Sequence, residues 1–146
     1  MRRLAAVLVL GVGLSACYGG SSGPTPGDMV DVLGALSARG ATMTDTVAGD
    51  AGCSDQTLVD NARRLQLSFT PDGQTYTAYL FRWLNDADYV SAGPAFEECK
   101  LAYQVGHVGS DLASVDVSPW RAYGPSWSPA LREAMEQALA DAAKGE

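Results

Sequence analysis

Histidine is nearly absent from this 146-residue chain: His107 is the only one, in the glycine-flanked run Gly106-His107-Val108-Gly109. A general base needs a nucleophile and an orienting partner, and no G-x-S-x-G motif supplies the nucleophile. The three cysteines show no C-x-x-C spacing, which removes the usual zinc frameworks. No alternating D-x-D-x-[DN]-G loop is present. The aspartates at Asp45, Asp50 and Asp55, and at Asp86 and Asp88, therefore read as turn formers and caps, or at most as weak calcium ligands. Glu97 and Glu98 are sequence neighbours, so on a helix they point about 100° apart and cannot face each other as a catalytic pair. No Gly-rich phosphate loop precedes a helix; Gly11-Val12-Gly13 sits in the apolar N-terminal run. The expectation is no catalytic residue, no metal and no cofactor.

Basic residues are also scarce, ten against seventeen acidic ones for a formal charge of −7. Such a surface repels nucleic acid and anionic lipid headgroups; it suits solubility or a cationic partner. Apolar runs are short. The longest, Leu4 to Leu14, falls below the roughly 20 residues that span a bilayer and fits a secretory signal instead.

Met1-Arg2-Arg3 gives that run a basic start, and Leu14-Ser15-Ala16-Cys17 closes it. The tetrapeptide resembles the lipobox of bacterial lipoprotein precursors. The resemblance implies cleavage between Ala16 and Cys17, a diacylglycerol on the Cys17 thiol, and a further acyl chain such as palmitate on the new amine. One acyl chain anchors only marginally, whereas two or three hold firmly at about 0.8 kcal/mol per buried methylene. The protein would then be extracytoplasmic, lipid-anchored to the cell membrane or outer membrane. In lipoproteins an Asp after the modified Cys favours retention at the inner membrane; Tyr18 stands there, so outer-membrane sorting is permitted. Residues 17–27, rich in Gly, Ser and Pro, read as the lipidated Cys and a flexible tether.

Two consequences follow for the rest. Removal of residues 1–16 leaves eight basic against seventeen acidic groups, about −9. Cys53 and Cys99 remain as an even pair in a chain sent to a disulfide-permitting compartment. A bridge between them is the leading expectation, with two free thiols or a metal pair as alternatives.

Residues 28–146 read as one α+β domain. Asp28 caps a first helix that stops at Gly40, and Ala41 to Val47 alternates as a strand. Leu65, Leu67 and Phe69 form the dry face of a second strand, followed by the turn Pro71-Asp72-Gly73 and a strand from Thr75 to Trp83. That last strand is apolar on both sides and hence central. Asn85 to Tyr103 reads as a helix interrupted at Gly93-Pro94, turning Val90, Phe96, Cys99 and Tyr103 inward. Leu112 to Val117 reads as a strand, and Ser128-Pro129 opens a final helix. About four mostly antiparallel strands with about three helices on one face would close the core.

One stretch stands apart. Trp120, Arg121, Tyr123 and Trp127 lie within Ser118–Pro129, among three prolines. Rigid aromatics of this kind serve as binding hot spots, or they lid the core between the last strand and the last helix. The element order, with Gly52-Cys53-Ser54-Asp55 and the W-x-x-Y-G-P-x-W run at Trp120–Trp127, resembles small uncharacterised bacterial lipoproteins and carries no activity to transfer. The function expected is a non-catalytic binding or accessory module of the cell envelope, its partner a protein, peptidoglycan or glycan. A structural subunit of an envelope complex comes second. A small hydrolase comes third and would require a cleft uniting His107 with a carboxylate.

Overall fold

The computed structural model describes residues 27–145. The order is α1 (Met29–Ala38), β1 (Ala41–Ala48), a 3-10 turn (Val59–Asn61), β2 (Ala62–Phe69), β3 (Gln74–Arg82), α2 (Asp86–Ser91), α3 (Gly93–Gly106), β4 (Leu112–Val117), β5 (Trp120–Pro125) and α4 (Pro129–Lys144). All strand pairs are antiparallel, in one five-stranded sheet ordered β1-β2-β3-β5-β4.

Local chemistry sets the ends of these elements. The Asp28 carboxylate accepts from the backbone N–H groups of Val30 and Asp31 at 2.8 and 3.2 Å, and Asp31 accepts from the Asp28 N–H at 2.7 Å. This reciprocal box satisfies N–H groups that the first helical turn leaves unpaired. Ser128 caps α4 by accepting from the Leu131 N–H at 3.2 Å, and its hydroxyl donates to Asp72 at 2.6 Å. That hydrogen bond is the main influence holding the Asp72 carboxyl below its usual range. Gly145, with φ of 74°, ends α4 in the left-handed conformation glycine adopts at no steric cost.

The sheet is covered on both sides, which corrects the expectation of helices on one face. Successive strand residues point to opposite faces. On the α1/α4 side, Leu65, Leu67, Phe69, Leu80 and Trp120 meet Val32, Leu36, Leu131, Met135 and Leu139. On the other, Tyr79, Phe81, Trp83 and Tyr123 meet Phe96, Cys99 and Tyr103 of α3 and Ala51 and Leu58 of the preceding loop. Four large rings on that second face could not be left in water, so β3 is central, as its pattern indicates.

Two further differences concern elements. The chain has a fifth strand, β5, where the sequence suggested a passage into the last helix. Val117 pairs with Trp120 across a tight turn at Ser118-Pro119, and β5 inserts between β3 and β4. The interrupted helix is two helices, α2 and α3, separated at Ala92. Phe96, Cys99 and Tyr103 point inward as expected. Val90 does not; it is 68% exposed, because α2 turns that side chain away from the core.

Chain direction distinguishes two poles. Met29, at the start of α1, and Arg82, at the end of β3, line the same depression, and the Gly27 N–H donates to Ala142 O near the end of α4. Gly27, the first described residue, therefore sits at this pole. The opposite pole holds the end of α3, the start of β4 opposite Pro125, and the start of α4.

Candidate functional site

Trp120, Arg121, Tyr123 and Trp127 do not form a surface. All four are buried, Trp120 and Tyr123 completely, so of the two readings of this segment the packing one holds and the exposed binding surface does not. The reason is its place in the sheet. Trp120 and Ala122 face the α1/α4 core while Arg121 and Tyr123 face α3, so an inner strand leaves neither side free. Trp127 is fixed by its indole N–H, which donates to Thr77 O at 2.8 Å. Gly124 lets this happen: a Cβ there would lie 2.2 Å from Thr77 O and 2.3 Å from the Trp127 nitrogen.

Arg121 is the one buried charged residue among those described. Its guanidinium lies 4.0 Å from the Tyr89 ring centroid and 5.3 Å from those of Trp83 and Phe96. It donates to Tyr89 O at 3.0 Å and to the Asp116 carboxylate at 3.2 Å. A buried cation needs such pairing and hydrogen bonding to offset desolvation, and the ring faces add cation–π attraction. Arg121 thus pins α2 to the sheet.

Beside it lies a cluster of phenols at the cysteine pair. The sulfurs of Cys53 and Cys99 are 2.04 Å apart, joining the loop before β2 to α3. Tyr123 donates its hydroxyl to Ala51 O at 2.5 Å and stacks on Tyr79 at 5.0 Å between centroids; Tyr103 meets both edge-on. Gly52 has a φ of 74°, and a Cβ on it would lie 2.5 Å from the Tyr123 hydroxyl. The loop can therefore seat on the rings only with glycine at this position.

Burial pushes the Tyr79 phenol up to about 12, and pushes Tyr103 and Tyr123 up as well. These groups stay protonated in the fold while the unfolded chain ionises near its ordinary value of about 10. Their contribution to stability is therefore complete below about pH 10 and is lost as pH rises toward about 12. In an alkaline titration, tyrosinate absorbance from this cluster is expected to rise only together with loss of the near-UV dichroism. Full ionisation near pH 10 with dichroism intact would contradict the buried cluster.

The remaining sequence candidates are dispersed. The His107 ring stacks on Tyr103 at 4.0 Å, and its Nδ1 donates to Tyr103 O at 2.9 Å; no carboxylate pairs with it among the described residues. Glu97 pairs with Lys100 at 2.9 Å. Asp45 and Asp50 both pair with Arg64, at 3.6 and 3.1 Å. Asp55 accepts from the Thr57 N–H and hydroxyl at 2.8 and 2.7 Å, Asp86 accepts from the Ser118 hydroxyl, and Asp88 accepts from Asn85 at 2.8 Å. Among the described residues no group of three His, Cys, Asp or Glu is placed to hold a metal, and no helix is long and apolar enough to cross a membrane. Ala16 and Cys17 lie outside the described residues.

The exposed surface holds what the sequence reading missed. On α3, Leu101 and Val105 are 61% and 76% exposed, and Val108 just beyond it is 91% exposed. Leu101 and Val105 are spaced i, i+4 and lie on the side of the helix opposite Phe96, Cys99 and Tyr103. That spacing is present in the sequence, where the stronger inward stripe hides it. At the other pole Leu84 is 81% exposed, beside an open depression of about 680 Å³ lined by Asp60, Asn61, Arg63 and Arg82. Comparison of the chain with protein-family models, with curated proteins and with solved structures finds no match.

Proposed function

We propose that this protein is a membrane-anchored extracytoplasmic lipoprotein whose folded domain is a non-catalytic binding or accessory module of the cell envelope. The observation that carries this reading is Leu14-Ser15-Ala16-Cys17 directly after the apolar run. The pairing of Cys53 with Cys99 supports it, since a structural disulfide suits an oxidising compartment. So does the arrangement of polar groups. His107, Glu97, Asp45, Asp50, Asp55, Asp86 and Asp88 are each committed to a ring, a cap, a turn or an ion pair, and they are dispersed among the described residues.

The lipid anchor is tested by Cys17→Ser. Labelled palmitate is expected to enter the wild-type chain and not the variant, and the variant is expected to leave the membrane fraction. Equal labelling, or membrane retention of an unlabelled variant, would count against the anchor.

A further inference from the structure

We infer that the bond between Cys53 and Cys99 is a redox-operated latch on the loop that covers the phenol cluster. The inference goes beyond the binding-module reading and needs no lipid anchor. The two sulfurs stand in unlike surroundings. Cys53 lies in the loop of residues 49–58, after β1, and is partly exposed. Cys99 on α3 is 2% exposed. Thiol–disulfide exchange begins with a thiolate attacking an accessible sulfur while the other sulfur leaves. Access therefore directs attack to Cys53 and makes Cys99 the leaving group.

Tyr123 couples that bond to the loop. Its hydroxyl donates to Ala51 O at 2.5 Å and lies 3.6 Å from the Cys99 sulfur. A phenol has one proton to donate, and a hydrogen bond to an anion is the stronger one. A thiolate formed on Cys99 therefore draws the Tyr123 hydroxyl away from Ala51. Ala51 O is also 3.3 Å from the Cys99 sulfur, where a negative sulfur repels the carbonyl oxygen. Little else holds the loop. Of residues 49–58 only Ala51 and Leu58 are buried, and Asp50 pairs with Arg64 at 3.1 Å. A segment so lightly packed opens locally at less cost than the whole domain. Tyr79 and Tyr123 lie against Gly52, so opening uncovers stacked rings while the sheet stays paired.

The reaction takes a dithiol reductant. One of its thiolates bonds to Cys53 Sγ, the S–S bond breaks, and the electron pair goes to Cys99 Sγ. The reductant's second thiol then attacks the mixed disulfide and frees Cys53. The reductant ends as a disulfide, and two electrons and two protons have passed to the cysteines.

The test starts from the full-length oxidised chain. After a short pulse of glutathione, quenched in acid, peptide masses are expected to place the glutathione on Cys53 and a free thiol on Cys99. With dithiothreitol, elastase should cut residues 49–58 about tenfold faster, the effect of losing one modest contact. Over the same time β3, β5 and α4 should stay protected from amide exchange, and reoxidation should restore resistance to elastase. Tyr123→Phe should slow the reduction about tenfold, because the leaving thiolate loses a charge-assisted hydrogen bond. If Tyr123 merely clamped the loop, the same change would speed it. Glutathione on Cys99, loss of exchange protection in the sheet together with the loop, a loop that stays uncut after reduction, or undiminished reduction of Tyr123→Phe would each overturn the inference. No readout involves Cys17, so failure of the anchor reading and failure of the latch are distinguishable.

Discussion

Trp120→Ala is expected to destabilise the domain by about 3–5 kcal/mol, the usual cost of truncating a large core aromatic. Trp120 is fully buried in the α1/α4 core. It lies on an inner strand whose neighbours on both sides are held by backbone pairing, so the cavity cannot close by collapse of an edge. For a domain of this size the loss corresponds to a fall in melting temperature on the order of 10–20 °C. Trp120→Phe should cost much less. It keeps most of the apolar volume and removes an indole N–H that finds no acceptor among the described residues, and a buried unpaired donor is itself unfavourable. Val108→Ala, at a 91% exposed position, should leave the melt unchanged. If Trp120→Ala melted like the wild type, the ring would lie on a surface and β5 would not be an inner strand.

The second large effect concerns the cysteine pair. Cys53 and Cys99 are 46 residues apart, and on the chain-entropy account closing such a loop stabilises by about 4 kcal/mol. That is a sizeable share of the 5–15 kcal/mol that separates a typical domain from its unfolded state. The double change Cys53→Ser with Cys99→Ala is therefore expected to move the urea midpoint far down, and a reductant should do the same to the wild type while leaving the double variant unchanged. The loop also carries Ala51, whose carbonyl accepts from Tyr123, and Gly52, which lies against the rings. Freeing it should make the phenol cluster ionise at lower pH. A urea midpoint indifferent to reductant would show that the two sulfurs are not bonded in the native chain.

Much of the architecture was legible because its signals are local. Asp28, Ser128 with Pro129, and Gly145 mark helix ends through hydrogen bonds made within a few residues, and Pro71-Asp72-Gly73 closes the β2–β3 hairpin the same way. β3 was recognisable as central because Tyr79, Phe81 and Trp83 alternate with Ala78 and Leu80, leaving no wet face. β5 was hidden for a related reason. Trp120, Ala122 and Gly124 on one side and Arg121, Tyr123 and Pro125 on the other show no apolar–polar alternation, and a proline, a glycine and an arginine suggest loop. The burial of Arg121 depends on Asp116, Tyr89, Trp83 and Phe96, partners from four other segments, which no local pattern announces. Cover on both faces likewise emerges only once the strand order is known.

The candidate sites divide in the same way. The lipobox resemblance at Leu14-Ser15-Ala16-Cys17 rests on a linear pattern of four residues and so on sequence alone. The aromatic run Trp120–Trp127 left a binding surface and a core lid both open, because composition alone does not distinguish a ring placed for binding from one placed for packing. The α3 face is the reverse case: Leu101 and Val105 look like ordinary core residues until the helix is seen to bury its other side.

The most direct measurement of the central claim is mass spectrometry of the N-terminal peptide of the protein taken from its native membrane. The expected result is a chain that begins at Cys17 and carries a diacylglycerol on its sulfur. A chain with unmodified Cys17, or one cut at any other bond, would contradict it.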